Sequence, residues 1–463
     1  MRRGVAAVLL LSPALAAFGQ ESEAELSRIP IEEPSTPATS APGPLRRVTY
    51  LESATEPSLL RSALLVPYPP PLPPAIEQRL LLDATLFWAP LHDLAFTLSG
   101  LVELRAADDI PFPTHENIRV DVREAFATWQ PFPGAYLDAG RVNLKSGVAI
   151  GYNPTDFFKA RAVVEPLSAD PAVLREVRLG AVMVRAQYVW GRAALTAAFA
   201  PALAAPSPIL PDAELPSFDP MLGRTNAVNR FLLKGTFDLV ADISPEVLAF
   251  VQGRSLSLGA NVAESIGKSV VLYLEWAGGR QASLTEEALS FGVLTGSLPV
   301  AVVTALEPNP ALSFQQDASL GLSYATESKL TLWLEYHLHQ AGFSRQDWQG
   351  WFQTGLSPSG SFLSGALWYI RAYALDQVEP MSRNSIFARA DWVDAFVFRL
   401  ELSGFANVDL SDGSTLAQVS ASYALSDAWG LGALLSANVG NRRSDFGSLP
   451  QFLSGVLTAR AYF

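Results

Sequence analysis

Phe452-Leu453-Ser454-Gly455-Val456-Leu457-Thr458-Ala459-Arg460-Ala461-Tyr462-Phe463 closes the chain. Leu453, Leu457, Ala459, Ala461 and Phe463 share one face of an extended segment, and Ser454, Thr458 and Arg460 share the other. Successive side chains of a strand point to opposite sides, so this alternation marks a half-apolar β-strand. Chain ends are usually polar and frayed. A segment that keeps its alternation up to a final aromatic residue directs the reading to the strands it would pair with.

Those strands recur from residue 79 onward. Leu80, Leu82, Ala84, Leu86 and Trp88 alternate with Leu81, Asp83, Thr85 and Phe87. Phe231, Leu233, Gly235 and Phe237 face away from Arg230, Lys234 and Thr236, and Leu330, Leu332, Leu334, Tyr336 and Leu338 face away from Glu335, His337 and His339. The segment 396–402 and Trp429 to Val439 repeat the pattern. A helix would spread these sets around its circumference, whereas a strand separates them. The chain is 49% hydrophobic but only 17% charged, against roughly 25% charged in soluble domains. After the N-terminus it has no apolar run of about 18 residues, the length of a membrane helix. High apolarity without apolar runs suits strands with one face in lipid and one in water.

Connections alternate in length. Short turns are expected near 90–93, 132–134, 191–192, 243–245, 266–267, 326–328, 358–360, 393–394 and 426–427. Longer connections lie at 107–115, 146–173, 203–225, 278–310, 341–346, 376–382, 408–413 and 441–450, and 253–255 breaks the rule by being short. Trp88, Trp129, Trp190, Trp392 and Trp429 all sit beside short turns. In a membrane barrel that forms one interfacial ring. The expected fold is all-β: a single transmembrane antiparallel up-and-down β-barrel of about 18 strands, within about 16–20. Counting from residue 79 gives an odd number, whereas single-chain bacterial barrels are even. The fault is sought before residue 79 or within 244–304, where 287–304 is apolar enough to hide structure.

The C-terminal strand ending on Phe463 resembles the assembly signal of bacterial outer-membrane β-barrels. That resemblance implies outer-membrane lipid and the barrel assembly machinery as partners, and places Phe463 at the periplasmic rim with Arg460 inward. A second stretch, Gly140-Arg141-Val142-Asn143-Leu144-Lys145-Ser146-Gly147-Val148-Ala149-Ile150-Gly151-Tyr152-Asn153-Pro154-Thr155-Asp156, resembles the Gly-Arg…Gly…Asn-Pro-x-Asp segment of porin-like Gram-negative outer-membrane proteins. There the segment leaves a strand top and enters a loop that folds into the barrel. Ser146 stands where such proteins often carry Trp. Porin-type homo-oligomers are an expectation of the same resemblance.

Residues 1–19 read as a signal peptide: Arg2 and Arg3, an apolar core from Val5 to Leu15, and Ala17-Phe18-Gly19 before Gln20. Residues 20–78, rich in Glu, Ser, Thr and Pro and carrying Tyr68-Pro69-Pro70-Pro71-Leu72-Pro73-Pro74, read as a largely disordered periplasmic segment. Plug and partner-binding arm are its alternatives. Residues 79–463 are then the barrel.

The second strand face carries the charges. Cations facing lipid at midplane cost roughly 2–4 kcal/mol, so these residues point inward. Arg119, Asp121, Arg123, Arg141, Asn143, Lys145, Arg185, Glu335, Arg399 and Glu401 are candidate pore-lining groups. The cluster from Arg119 to Lys145 leans toward anionic or sugar-like solutes, although acids dilute it. The loop 146–173, with turn residues Asn153-Pro154-Thr155-Asp156, is a candidate constriction. Asp156, Lys159, Arg161 and Glu165 are its candidate lining groups. A plain surface loop is the alternative.

Other classes fit less well. A net charge of −12 argues against nucleic acid. There is no Cys, hence no disulfide or thiolate chemistry. His337 and His339 share one face with Glu335 but lack a closing metal partner, and no nucleophile elbow or P-loop is present. The expectation is a passive channel for small hydrophilic solutes, not an enzyme, without cofactor or metal. The rivals are a substrate-specific transport or export channel and a non-transporting surface-interaction barrel.

Overall fold

The computed structural model describes residues 43–65, 74–108, 118–164, 167–209, 218–237, 243, 245–306 and 311–463. The signal-like N-terminus, most of the polyproline run and Glu165 lie outside the described residues. The wall starts with β1 (Gly43–Leu60), β2 (Ile76–Leu91), β3 (Leu94–Ala107), β4 (Ile118–Phe132), β5 (Ala135–Val142) and β6 (Ala181–Trp190). It continues with β7 (Ala193–Ala200), β8 (Arg230–Phe237), β9 (Glu246–Gln252), β10 (Ser255–Ile266), β11 (Val270–Gln281) and β12 (Ser313–Ala325). It ends with β13 (Leu330–His339), β14 (Asn384–Trp392), β15 (Leu400–Asp409), β16 (Thr415–Ala424), β17 (Trp429–Val439) and β18 (Gln451–Tyr462). Each strand pairs antiparallel with the next, and β1 pairs with β18 to close an 18-stranded barrel.

Period two decides the sides. On β13, Leu332, Leu334 and Tyr336 are exposed on the outer surface, while Glu335, His337 and His339 are buried inside. The same division holds for Leu80, Leu82 and Trp88 against Glu77 and Asp83 on β2. Trp88, Trp129, Trp190 and Trp429 are exposed on the outer face beside short turns, as a membrane-interface ring requires. Most short connections fall at one end and the longest ones at the other; 253–254 and 410–414 are short ones at the long-connection end, and 238–245 and 393–399 are the longer ones at the short-turn end.

The odd strand count is resolved by two differences from the sequence reading. Residues 43–60, placed there in the disordered segment, form β1, and the barrel begins at Gly43 rather than at 79. Residues 61–65 then lie at the long-connection end, not the periplasmic one: Arg61 N–H donates to Pro450 O, while Phe463 N–H donates to Thr49 O at the other rim. The short turn expected near 358–360 would join two strands, but it joins two helices, α5 (Arg345–Gly355) and α6 (Gly360–Gln377). Removing two strands and adding one gives the even number. The apolar stretch 287–304 holds α3 (Leu284–Leu294) and α4 (Val300–Ala305); a short α1 (Pro171–Val177) and a single-turn α2 (Leu222–Thr225) lie in earlier loops.

The largest apolar cluster lies not in the wall but among the long connections. It joins Leu65, Ile209, Leu284, Leu289, Trp348, Trp351, Phe352, Leu367 and Trp368, with Leu449 packed against them. In sequence these come from the β1–β2, β7–β8, β11–β12, β13–β14 and β17–β18 connections. In a ring of 18 strands, the β7–β8 and β17–β18 connections stand nearly opposite each other. The cluster therefore spans the mouth and forms a helical cap.

Candidate functional site

The β5–β6 connection, 143–180, turns inward along the lumen wall. Phe157 stacks on Phe250 of β9, with ring centroids 4.6 Å apart, and Phe158 packs beside it. Farther round, wall carboxylates hold the loop backbone. Glu275 on β11 accepts the N–H groups of Val148 and Ala149 and the Thr155 hydroxyl at 3.2 Å. Glu335 on β13 accepts the N–H groups of Ile150 at 2.7 Å and Gly151 at 2.9 Å. Ser319 on β12 donates to Tyr152 O at 2.6 Å. Gly147 permits this contact: its φ is +83°, and a Cβ would stand 2.5 Å from the Glu275 carboxylate.

Internal pairs stiffen the loop. Arg178 grips Asp156 bidentately, at 2.7 and 3.1 Å, and reaches Asn143 Oδ1 at 2.6 Å and Leu144 O at 2.7 Å. Burial pushes the Asp156 carboxyl up, but Arg178 and Arg175 outweigh it and hold it below the usual range. Lys159 donates to Asn153 O at 2.8 Å and lies 4.2 Å over the Tyr152 ring; burial pulls its ammonium down. Arg161 leaves the loop for the cap, donating to Asp376 of α6 at 2.8 Å, to Ser207 O at 2.7 Å and to Gly223 O at 3.0 Å. Arg224 shares Asp376.

On β2–β4 the lumen charges form a lattice. Arg119 meets Glu103 at 2.7 Å and Asp121 at 2.9 Å, Arg105 meets Glu77 at 3.1 Å, and Arg123 meets Asp83 at 2.6 Å. Arg185 on β6 meets Asp138 on β5 at 2.6 Å. Across the barrel, Arg389 on β14 pairs with Asp391 at 2.8 Å and with Asp170 of the loop. At the closing seam Arg460 points inward to Glu52.

No protein-family model matches the sequence, and no curated protein matches it. Solved structures do. Pseudomonas aeruginosa OccK5 (OpdH) superposes with a TM-score of 0.53 at 8% identity, over 90% of this chain and 98% of that one. Pseudomonas aeruginosa OccK11 (OpdR) gives 0.50 at 10%, over 92% and 99%, and Pseudomonas aeruginosa OccK8 (OprE) gives 0.50 at 10%, over 90% and 98%. The chain has a porin-type fold.

Within this porin-type barrel the expected pore residues divide. Arg119, Asp121, Arg123, Arg185 and Glu335 do face the lumen, but as members of ion pairs or loop anchors. The positive field that favoured anionic solutes therefore loses its carriers to neighbouring acids. Arg141 is buried and spent on the backbone, donating to Gly180 O at 2.9 Å and Val122 O at 3.0 Å. Asn143 is held by Arg178, and Lys145 by Glu176. Glu401 lies on the lumen side near the short-turn rim, where Ser422 reaches it at 3.5 Å. Arg399 is corrected: it belongs to the turn before β15 and pairs with the exposed Asp427 at 2.6 Å, so it sits at the rim. Asp156, Lys159 and Arg161 are corrected as well, from lining groups to buried structural ones. Phe463 is exposed at the rim on the lipid side. Glu275, Asp376 and Arg178 are not among the sequence candidates, because the loop and cap groups they bind are brought to them only by the fold.

Proposed function

We propose that this barrel is a passive channel for small hydrophilic solutes across the outer membrane, narrowed by the loop 143–180. One observation carries the reading: a loop is pinned by its backbone to Glu275 and Glu335 inside a wall whose interior is ion-paired and whose exterior is apolar. A barrel serving only as a surface scaffold has no use for a pinned internal loop. Exposed Phe463, hydrogen-bonded to β1 at the rim, supports its reading as an assembly signal. The test is single-channel recording of the refolded protein in planar bilayers. Deleting residues 150–168 raises conductance if the loop constricts the path. Absence of any conductance, in the wild type and the deletion alike, favours the scaffold.

A second reading, a channel selective for one solute class, draws support from the helical cap. Five connections converge over the mouth, which leaves less room for unselective entry. Liposome swelling with a panel of sugars, amino acids and carboxylates separates the two readings: graded rates by size favour diffusion, and one outlying solute favours selectivity.

A further inference from the structure

We propose that the β14–β15 turn, residues 393–399, is a lipid-insertion element that seats Phe396, Val397 and Phe398 in the inner leaflet of the membrane. The inference rests on the barrel spanning a membrane, not on its conducting. Several described turns at this rim are small and polar, such as Gly191-Arg192, Gly267-Lys268-Ser269 and Thr326-Glu327-Ser328-Lys329. This one reads Val393-Asp394-Ala395-Phe396-Val397-Phe398-Arg399. Phe396 is 78% exposed, Val397 53% and Phe398 73%. Consecutive large apolar side chains left in water at a rim would form an adhesive patch.

The turn is built to hold that presentation. Asp394, Phe396 and Arg399 all take left-handed backbone, with φ of 55°, 60° and 68°, which non-glycine residues adopt only when their surroundings enforce it. Here the Asp394 carboxylate accepts Arg399 N–H at 2.8 Å and Lys329 Nζ at 2.6 Å, and Ala395 N–H donates to Leu400 O at 2.7 Å. The Arg399 guanidinium is tied to Asp427 of the next turn.

Direction follows from the neighbours. The Phe396 ring lies 4.6 Å from that of Trp392. Trp392 stands in register with Leu330 and Leu402 on the face that also carries the exposed Leu332 and Leu334. Phe396 is thus continuous with the lipid-facing surface rather than with the lumen, and Val397 and Phe398 follow it directly in the chain. Lys329 and Arg399, half-exposed beside it, stand at headgroup level, as cations flanking an inserted apolar tip do.

The chain has no Cys, so Val397→Cys gives a single labelling site for a fluorescent probe. The full protein is refolded into phospholipid vesicles, and folding is checked by heat-modifiable gel mobility. Nitroxide on shallow acyl carbons should quench the probe, and aqueous iodide should quench it several-fold less than a probe at Ser361→Cys in the cap. Iodide quenching equal to that at Ser361, or no quenching by lipid nitroxide, overturns the proposal. So does protection that appears in cell envelopes but not in pure lipid, which would assign the tip to a protein partner. Phe398→Cys repeats the measurement if Val397→Cys does not fold.

Discussion

Glu275 shows how much of this molecule hangs on single side chains. Its carboxylate satisfies two backbone N–H groups and a hydroxyl of a loop far away in the chain. Glu275→Ala leaves those donors buried without an acceptor, at roughly 1–3 kcal/mol each. The wall strands keep their own ladder, so the barrel survives while the loop loosens. The expected outcome is current noise with frequent substates in planar-bilayer recordings, with an unchanged heat-modifiable band. Gly147→Val should act in the same direction, since its side chain would collide with the Glu275 carboxylate and the backbone there has a φ of +83°. Arg119 poses the electrostatic counterpart. It pairs with Glu103 and Asp121 together, and Glu103 also meets Arg79 at 3.4 Å, so Arg119→Ala removes one positive charge from this lattice and makes the lumen more negative. Reversal potentials in a salt gradient should shift toward cations relative to the wild type.

At the scale of elements, legibility tracked alternation. β13 and β18 present one apolar and one polar face, and both are legible as strands in the sequence. β1 is not, because its outer positions include Arg47, Thr49, Ser53 and Thr55 beside Leu45, Leu51 and Leu59, and because it adjoins Pro-rich sequence. The helix α6 misleads in the opposite way: Ala366, Leu367, Trp368, Tyr369 and Ile370 are all buried. A continuous apolar run does not distinguish a buried strand from a buried helix. One cue did exist, the capping box Ser344-Arg345-Gln346-Asp347 that starts α5. The pinned loop was visible as Gly-rich turn sequence, but its anchors were not, since Glu275 and Glu335 look like any inward carboxylate until the fold brings them to the loop. The cap carries a testable pH dependence. Burial raises Glu287 on α3 to about 7, with Glu379 adding to it, and raises Asp445 to about 6 against the opposing Arg371. Both are carboxyls whose folded values exceed the unfolded ones, so the folded cap holds protons that the unfolded cap has released. Stability contributed by these groups is present below about pH 4 and is lost as pH rises through 6 to 7. Hydrogen exchange of α3 and α6, corrected for intrinsic rates, should be slower at pH 5 than at pH 7.5; equal protection would refute the assignment.

For the whole molecule, closure is the decisive interaction. A strand edge facing hydrocarbon leaves its N–H and C=O groups without partners, at several kcal/mol each. β1 removes two such edges at once, pairing with β18 from Tyr50↔Tyr462 to Leu60↔Gln451 and with β2 along nearly its full length. Its inner face adds the buried Glu52 against Arg460 and Tyr50 against Asp83 at 3.2 Å. Direct β2–β18 pairing would have to remake both registers and discard these inward contacts, leaving Asp83 without its tyrosine and Arg460 without its carboxylate. Deleting residues 43–60 should therefore abolish the heat-modifiable, protease-resistant form. Deleting residues 150–168 should preserve it, because that loop contributes no strand to the wall. Running both deletions through one refolding experiment isolates closure from the loss of chain length, and a folded band from the β1 deletion would show that a barrel of 17 strands can close without it.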